Sequence, residues 1–321
     1  MNEPIFIARQ DTLEQEILPA HWLAQYKLFG EESYTFQDKG IWKKLCMSRA
    51  AANDRDMHAE ALEEMLTTFS AEHTGKWMLL VYGMDAAALE GLATMAAIAA
   101  NGTAMGAIVD NALLMHAIAN SETAMQRIAN SQTAMQRVAN NTTAMDAIGR
   151  SRIARDAVQA SPYYNSYIKE NDMAIAKLAV ALANLESAGY SGMAGVAADS
   201  TAMTAVAASA TAMGKIAAVD AALSKLAAST TAMDALYARK KKLNGGSASK
   251  SGKFIILEIS QSNAFNTSKY GYATLSDGSK PDWSSYLAKY AFFRKYPKYA
   301  TYMLNDTDSD DYIYYFDIAS P

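Results

Sequence analysis

Residues that commonly carry chemistry are scarce in this 321-residue sequence. There is one cysteine, Cys46, and no histidine has a second His or Cys at metal-ligand spacing; the four histidines are His21, His58, His73 and His116. A lone cysteine excludes an intrachain disulfide framework and is typical of a protein made in a reducing compartment. No Ser/His/Asp constellation, phosphate-binding glycine loop or paired-carboxylate motif stands out. We therefore expect no enzymatic activity and no cofactor.

Long tracts of one charge sign and long apolar runs are also missing. The formal net charge is −4, and neither sign is concentrated along a long tract apart from "RKKK" at 239–242, so we expect no nucleic-acid partner. The start of the chain lacks the basic and apolar regions of a secretory signal. The least charged window, 91–109, has the length of a membrane span but contains Asn101 and Gly102. We therefore expect no membrane insertion.

What the sequence does contain is a ten-residue repeat that runs from residue 91 to residue 160 without an insertion. The fifth column holds methionine in six blocks: Met95, Met105, Met115, Met125, Met135 and Met145. The eighth column is β-branched throughout: Ile98, Ile108, Ile118, Ile128, Val138, Ile148 and Val158. A second run begins near residue 191, shifted by two columns. Such regularity indicates stacked, identical structural units.

The spacing within one block predicts a short helix. Met and Ile stand three residues apart and would share one helix face, but successive blocks in a single long helix would rotate by about 80°. Asn130 and Asn140 suit a helix end, and serine then stands at the next N-cap position, at Ser121, Ser131, Ser209 and Ser229. The sequence therefore predicts a mainly α protein, an α-solenoid of very short helices with two blocks per turn. A Thr-presenting β-solenoid is the alternative, although Ala and Met are poor strand formers.

The composition divides the rest of the chain into further segments. We predict a docking or capping domain over 1–85, the first repeat run over 86–160, an insertion with a longer helix over 161–190, and the second run over 191–237. The Gly/Ser-rich stretch 238–253 is predicted as a flexible linker. Residues 254–321 are predicted as an α+β module, with strands at 254–260, 270–276 and 311–318 and helical spacing at 282–296.

The C-terminal module is rich in aromatic residues, which suit both recognition surfaces and strand cores. The candidate binding residues are Tyr270, Tyr272, Trp283, Tyr312 and Tyr314.

A calcium loop is the second candidate site. Asp306, Asp308, Asp310 and Asp317 fall at positions 1, 3, 5 and 12 of a calcium-loop pattern. Position 6 is Asp311, where such loops need glycine, so an acidic turn between strands is the other interpretation.

The decapeptide S-x-T-A-M-x-A-[IV]-A-x, present as "STAMTAVAAS" and "ATAMGKIAAV", resembles repeats in virion proteins of tailed bacteriophages. The resemblance covers about 120 residues and implies a tail-fibre, baseplate or adaptor component of the particle, made in the bacterial cytoplasm and oligomeric once assembled. Its partners would be other virion proteins or a host surface glycan or protein. The alternatives are a host-polysaccharide-binding protein or depolymerase, whose candidate acids Asp277, Asp282 and Asp317 belong to no motif, and an ice-binding solenoid.

Overall fold

The computed structural model describes residues 95–260, 270–283, 286–307 and 310–321. The chain divides into two compact units, with the boundary between Ile168 and Lys169. The domain predicted for residues 1–85 lies outside the described residues.

In the first unit, each ten-residue block forms one short helix. These helices are α1 (Met95–Ala100), α2 (Gly102–Val109), α3 (Ala112–Ala119), α4 (Glu122–Ala129), α5 (Gln132–Ala139), α6 (Thr142–Arg150) and α7 (Arg152–Ala160), and a π-helical turn, Tyr164–Ile168, follows. The Met and Ile/Val columns of these blocks are buried. A side chain just before most helices caps the first turn; for example, the Ser131 hydroxyl accepts from the Ala134 N–H at 3.3 Å.

Each helix packs against the third helix along the chain, as α1 does with α4, α3 with α6, and α4 with α7. Three serines at the ends of these helices mark this period, because the hydroxyl of each donates to the carbonyl of the residue 32 positions earlier. The donor–acceptor distances are 2.6 Å for Ser131 to Ala99, and 2.5 Å for both Ser151 to Ala119 and Ser161 to Ala129. The predicted two blocks per turn is therefore wrong: three blocks complete a turn. The turn between blocks sets this number, and the column pattern does not encode it.

The second unit contains a similar stack of helices. Its members are α8 (Asp172–Leu182), α9 (Met193–Ala198), α10 (Ser200–Ala208), α11 (Ala210–Ala217), α12 (Asp220–Ala228) and α13 (Thr230–Ala238). Helix α8 packs on α11, α9 on α12, and α10 on α13. The cross-layer bond recurs between the Ser229 hydroxyl and the Ala197 carbonyl at 2.5 Å. Both runs of the repeat thus use the same three-block period.

Asp199 caps α10 and makes the stability of this stack depend on pH. Its carboxylate accepts from the Ala202 N–H and from the Tyr190 hydroxyl, each at 2.9 Å, and these bonds hold the Asp199 pKa below its ordinary value of 3.8. Because the folded pKa is lowered, the stabilisation is complete above 3.8 and is lost as the pH falls through the folded value.

We expect Asp199→Asn to be less stable than the wild type at pH 7, with a gap that narrows as the pH is lowered towards 2. The urea midpoints of both proteins at the two pH values measure this, and Asp282→Asn, at an exposed carboxylate, is the control. A gap that stays constant from pH 7 to pH 2 would show that the Asp199 charge does not contribute.

Residues after α13 form a six-stranded antiparallel sheet with one short helix. The strands are β1 (Lys241–Asn244), β2 (Ala248–Ser260), β3 (Tyr270–Leu275), β4 (Asp282–Trp283), β5 (Ala300–Asp306) and β6 (Tyr312–Asp317), and the helix α14 is Ala291–Lys295. The strand order is β1-β6-β2-β5-β3-β4. At Gly252, where φ is +152°, β2 changes its pairing register with β5. The first half of β2 thus pairs with β5, and the second half pairs mainly with β6.

The sheet contributes to two hydrophobic cores. Its inner face forms one core, made of Phe254, Ile256, Ile259, Ala273, Leu275, Trp283, Phe292, Ala300, Met303, Ile313 and Tyr315. On the opposite face, Ile255, Leu257, Phe316 and Ile318 join the core of helices α8–α13, together with Tyr290 and Phe293. Lys298 also pairs with Asp220 at the start of α12 at 2.5 Å. The sheet therefore covers the end of the second helix stack.

The fold class predicted from the sequence, a mainly α solenoid, is wrong. In the described ranges 14 helices accompany the six-stranded sheet, and helix and strand take 55% and 18% of the residues, so the protein is mixed α/β. Part of the error lies in 238–253, which was predicted as a flexible linker and contains β1 and the first half of β2. These strands have no local apolar pattern, and they are held by pairing with residues of β5 and β6 that lie 51 to 74 positions further on, from Ser251 with Tyr302 to Lys241 with Tyr315. The strand β5 was also missed, and only Ala291–Lys295 of the predicted helix 282–296 is helical.

Candidate functional site

Three tyrosines come together on the exposed side of β3 and β5. Along β3, Tyr270 and Tyr272 alternate with Gly271 and Ala273, which are buried on the inner side. Tyr302 lies on β5, opposite Thr274. Because side chains alternate across a strand, all three tyrosines point away from the inner core. We call Tyr270, Tyr272 and Tyr302 the tyrosine cluster.

The rings of the tyrosine cluster contact each other while remaining accessible. The centroids of Tyr270 and Tyr272 are 6.5 Å apart with 23° between the ring planes, and those of Tyr272 and Tyr302 are 5.7 Å apart at 38°. Tyr270 is 49% exposed. Desolvation raises the pKa of Tyr272, and the neighbouring Tyr302 raises it further, so the phenol stays neutral at physiological pH. The cluster thus offers uncharged, electron-rich rings to a partner.

Trp283, a predicted binding residue, lies in the inner core. It is 4% exposed, and its ring meets that of Phe292 edge-on at 5.6 Å. Glycine is needed at position 271 because a Cβ atom there would lie 2.3 Å from Nε1 of Trp283. Trp283 therefore supports β3 from beneath and is not available to a ligand.

Tyr312 and Tyr314, also predicted to bind, belong to a separate group beside α13. Their centroids are 4.5 Å apart, and Tyr314 meets the Tyr237 ring edge-on at 5.9 Å. Lysines of the chain itself lie over these rings: Lys240 is 4.2 Å from the Tyr237 centroid and 5.1 Å from that of Tyr314, and Lys242 is 4.9 Å from that of Tyr312. The predicted set of five residues is thus divided among three places.

Three aspartates of the predicted calcium loop, Asp306, Asp310 and Asp317, are described, and they lie at separate places along or next to β5 and β6. Asp306 ends β5 and accepts a hydrogen bond from the Ser247 hydroxyl, whereas Asp317 ends β6 and pairs with Lys241 at 3.5 Å. Asp310 precedes β6, and the six-residue strand places Asp317 roughly 16 Å beyond the strand's start. Asp308 lies outside the described residues. The second half of this 12-residue segment is a strand, and calcium binding by these aspartates stays a prediction.

A polar cleft of about 540 Å³ lies beside the start of α12, lined by residues that include Lys169, Glu170, Asp220, Asp277 and Tyr299. Lys298 bridges two of its acids, at 2.5 Å from Asp220 and 3.5 Å from Asp277. Hydrogen bonds from Ser279 lower the pKa of Asp277, and its ion pair with Lys298 lowers it further. Asp277 is therefore a paired anion, unlike the protonated carboxyl that a general acid requires.

Tyr302 is the residue that the sequence analysis missed, although strand β5 carries it as an alternating residue in "ATYMLND". Buried Met303 and Asn305 alternate with the less buried Tyr302 and Leu304, but two residues separate Ala300 from Met303 at a bulge, so the period of two is interrupted there.

No described helix is long and apolar enough to cross a membrane, and the described residues contain no group of three or more His, Cys, Asp or Glu side chains arranged for a metal ion. Comparison with protein-family models and with curated protein sequences gives no match for this chain.

Proposed function

We propose that this chain is a non-enzymatic structural protein of a bacteriophage virion, a tail-fibre, baseplate or adaptor component made in the bacterial cytoplasm. In this proposal the tyrosine cluster binds another virion protein, and the helix stack of the second unit supports the sheet that carries the cluster. A host surface receptor is the alternative partner. The observation that carries the binding role is the exposure of Tyr270 beside Tyr272 and Tyr302.

Two properties of the cluster support a binding role. Tyrosine buries a large area on association while few rotatable bonds become fixed, which is why it is enriched in interfaces. The cluster also lies on paired strands backed by buried side chains, including Ala273 and Met303, so its geometry is set before a partner arrives. A preformed aromatic surface of this kind suits a permanent assembly.

The repeat supports the structural role. Side chains cap the first turn of most of the described helices, and four serine hydroxyls donate to the layer beneath, which restricts movement between layers. The resemblance of the decapeptide to repeats of tailed-phage virion proteins supplies the biological setting.

We expect an epitope-tagged copy of the chain to sediment with phage particles when a lysate is separated on a density gradient. Replacing both Tyr270 and Tyr302 by leucine should reduce the amount per particle several-fold, because the central rings of an interface contribute most of its binding energy. Tyr286→Leu is the matched control, since Tyr286 is 53% exposed and outside the cluster. Wild-type protein that remains at the top of the gradient, and that also fails to bind host cells, would refute the proposal.

A further inference from the structure

The tyrosine cluster is a partly exposed aromatic group of the second unit that has no described cation over its rings. Among the described residues, a Lys or Arg lies over each of eight other rings, which are Tyr237, Phe254, Tyr290, Tyr296, Tyr299, Tyr312, Tyr314 and Tyr315. In the same part of the chain, none lies over Tyr270, Tyr272 or Tyr302. The negative faces of these three rings thus remain open to an external cation.

Two carboxylates flank the cluster on the same side of the sheet. Asp306 is opposite Tyr270 in the pairing of β3 with β5, and Asp282 is opposite Tyr272 in the pairing of β3 with β4. Opposed residues of antiparallel strands have Cα atoms about 4.5–5.5 Å apart and side chains on one face. Within the described ranges, neither carboxylate forms an ion pair. Negative charge thus lies on both sides of the open rings.

We infer that the tyrosine cluster is a binding site for arginine side chains, presented by a basic segment of the partner protein. This inference rests on the proposed function and names the chemistry of its partner. A guanidinium group can stack on an aromatic ring while its N–H groups donate to a carboxylate, and arginine does both better than lysine. Charge complementarity selects this occupant, because a neutral or acidic segment would leave the two aspartates without counter-charge.

The test uses the full chain and a synthetic peptide, acetyl-GRGRGRG-amide, at low ionic strength. Isothermal titration calorimetry measures its affinity, and a peptide with citrulline in place of arginine controls for shape, since citrulline is neutral. We expect the citrulline peptide to bind at least about tenfold more weakly, because both the cation–π and the ion-pair contributions are lost.

Three variants separate the site from general attraction to an acidic protein. The double substitution of Tyr270→Leu and Tyr302→Leu should weaken the arginine peptide about tenfold, whereas the corresponding double substitution to phenylalanine keeps the rings and should stay within about threefold. Asp306→Asn should weaken binding several-fold. Because these side chains are exposed or half-buried, unchanged melting temperatures will confirm that each variant folds.

Three results would overturn the inference: no binding of the arginine peptide by the wild type, equal binding by the leucine variant, or binding of tetramethylammonium without binding of the peptide. The last would assign the site to a small organic cation. The gradient experiment is independent of this titration, so a chain absent from particles can still bind arginine, and a particle-bound chain can fail to do so.

Discussion

Replacing Phe293 by alanine is expected to lower the free energy of unfolding by about 3–5 kcal/mol, the usual cost of removing a buried phenylalanine. Phe293 on α14 has no exposed surface and lies in the core where the sheet meets helices α8–α13. Its loss leaves a cavity in this core, which also contains Leu226 on α12 and Phe316 on β6, or forces the surrounding elements to shift. Urea denaturation followed by circular dichroism measures the change.

The matched control for Phe293→Ala is Tyr286→Ala, an aromatic truncation at a side chain that is 53% exposed. We expect that change to stay within about 0.5 kcal/mol of the wild type. A loss below about 1 kcal/mol for Phe293→Ala would mean that the sheet is not held to the helix stack through this core.

The second large effect is expected from Ser151→Ala, which should cost about 2–4 kcal/mol. Ser151 is 5% exposed, and its hydroxyl accepts from the Ala154 N–H at 3.3 Å while donating to the Ala119 carbonyl at 2.5 Å. Alanine removes both bonds and leaves the carbonyl without its donor in a buried position. The cost combines a lost N-cap with a buried unsatisfied acceptor.

Asn101→Ala separates these two contributions. Asn101 caps α2 through bonds from Thr103 and Ala104, both at 3.0 Å, and makes no cross-layer bond in the described structure. Its loss should cost about 1 kcal/mol, so Ser151→Ala should exceed it by about 1–3 kcal/mol. Equal losses for the two variants would show that the cross-layer bond does not contribute to stability.

The sequence predicted local features well where side chains act within one block. A methionine and a β-branched residue three positions apart, followed by Asn and Ser, are sufficient to place a short helix and its cap, as at Ser121 and Ser131. The way that blocks meet depends on the backbone angles of the intervening turn. The period of three was therefore not predictable from columns of residue types.

The tyrosine cluster was predictable only in part, because the pairing of the strands determines which tyrosines lie together. Tyr270 and Tyr272 were identified from composition, but Tyr302 joins them through the register of β3 with β5. Trp283 was misassigned because a large aromatic in a short strand suits a core as well as a surface. The close approach of Gly271, which decides between the two, is a contact across strands. Asp306 was predicted as a calcium ligand, but in the structure it lies opposite Tyr270 in the pairing of β3 with β5.

The three-helix period has a consequence for how such a chain can change in length. Because each helix stacks on the third before it and the blocks are nearly equivalent, deleting one block from the run between α9 and α13 would preserve every contact type. Everything downstream would turn by one third of a revolution about the stack axis. Gain or loss of a single block would thus rotate the sheet and its tyrosines by about 120° about the stack axis. A change of three blocks would restore the original orientation.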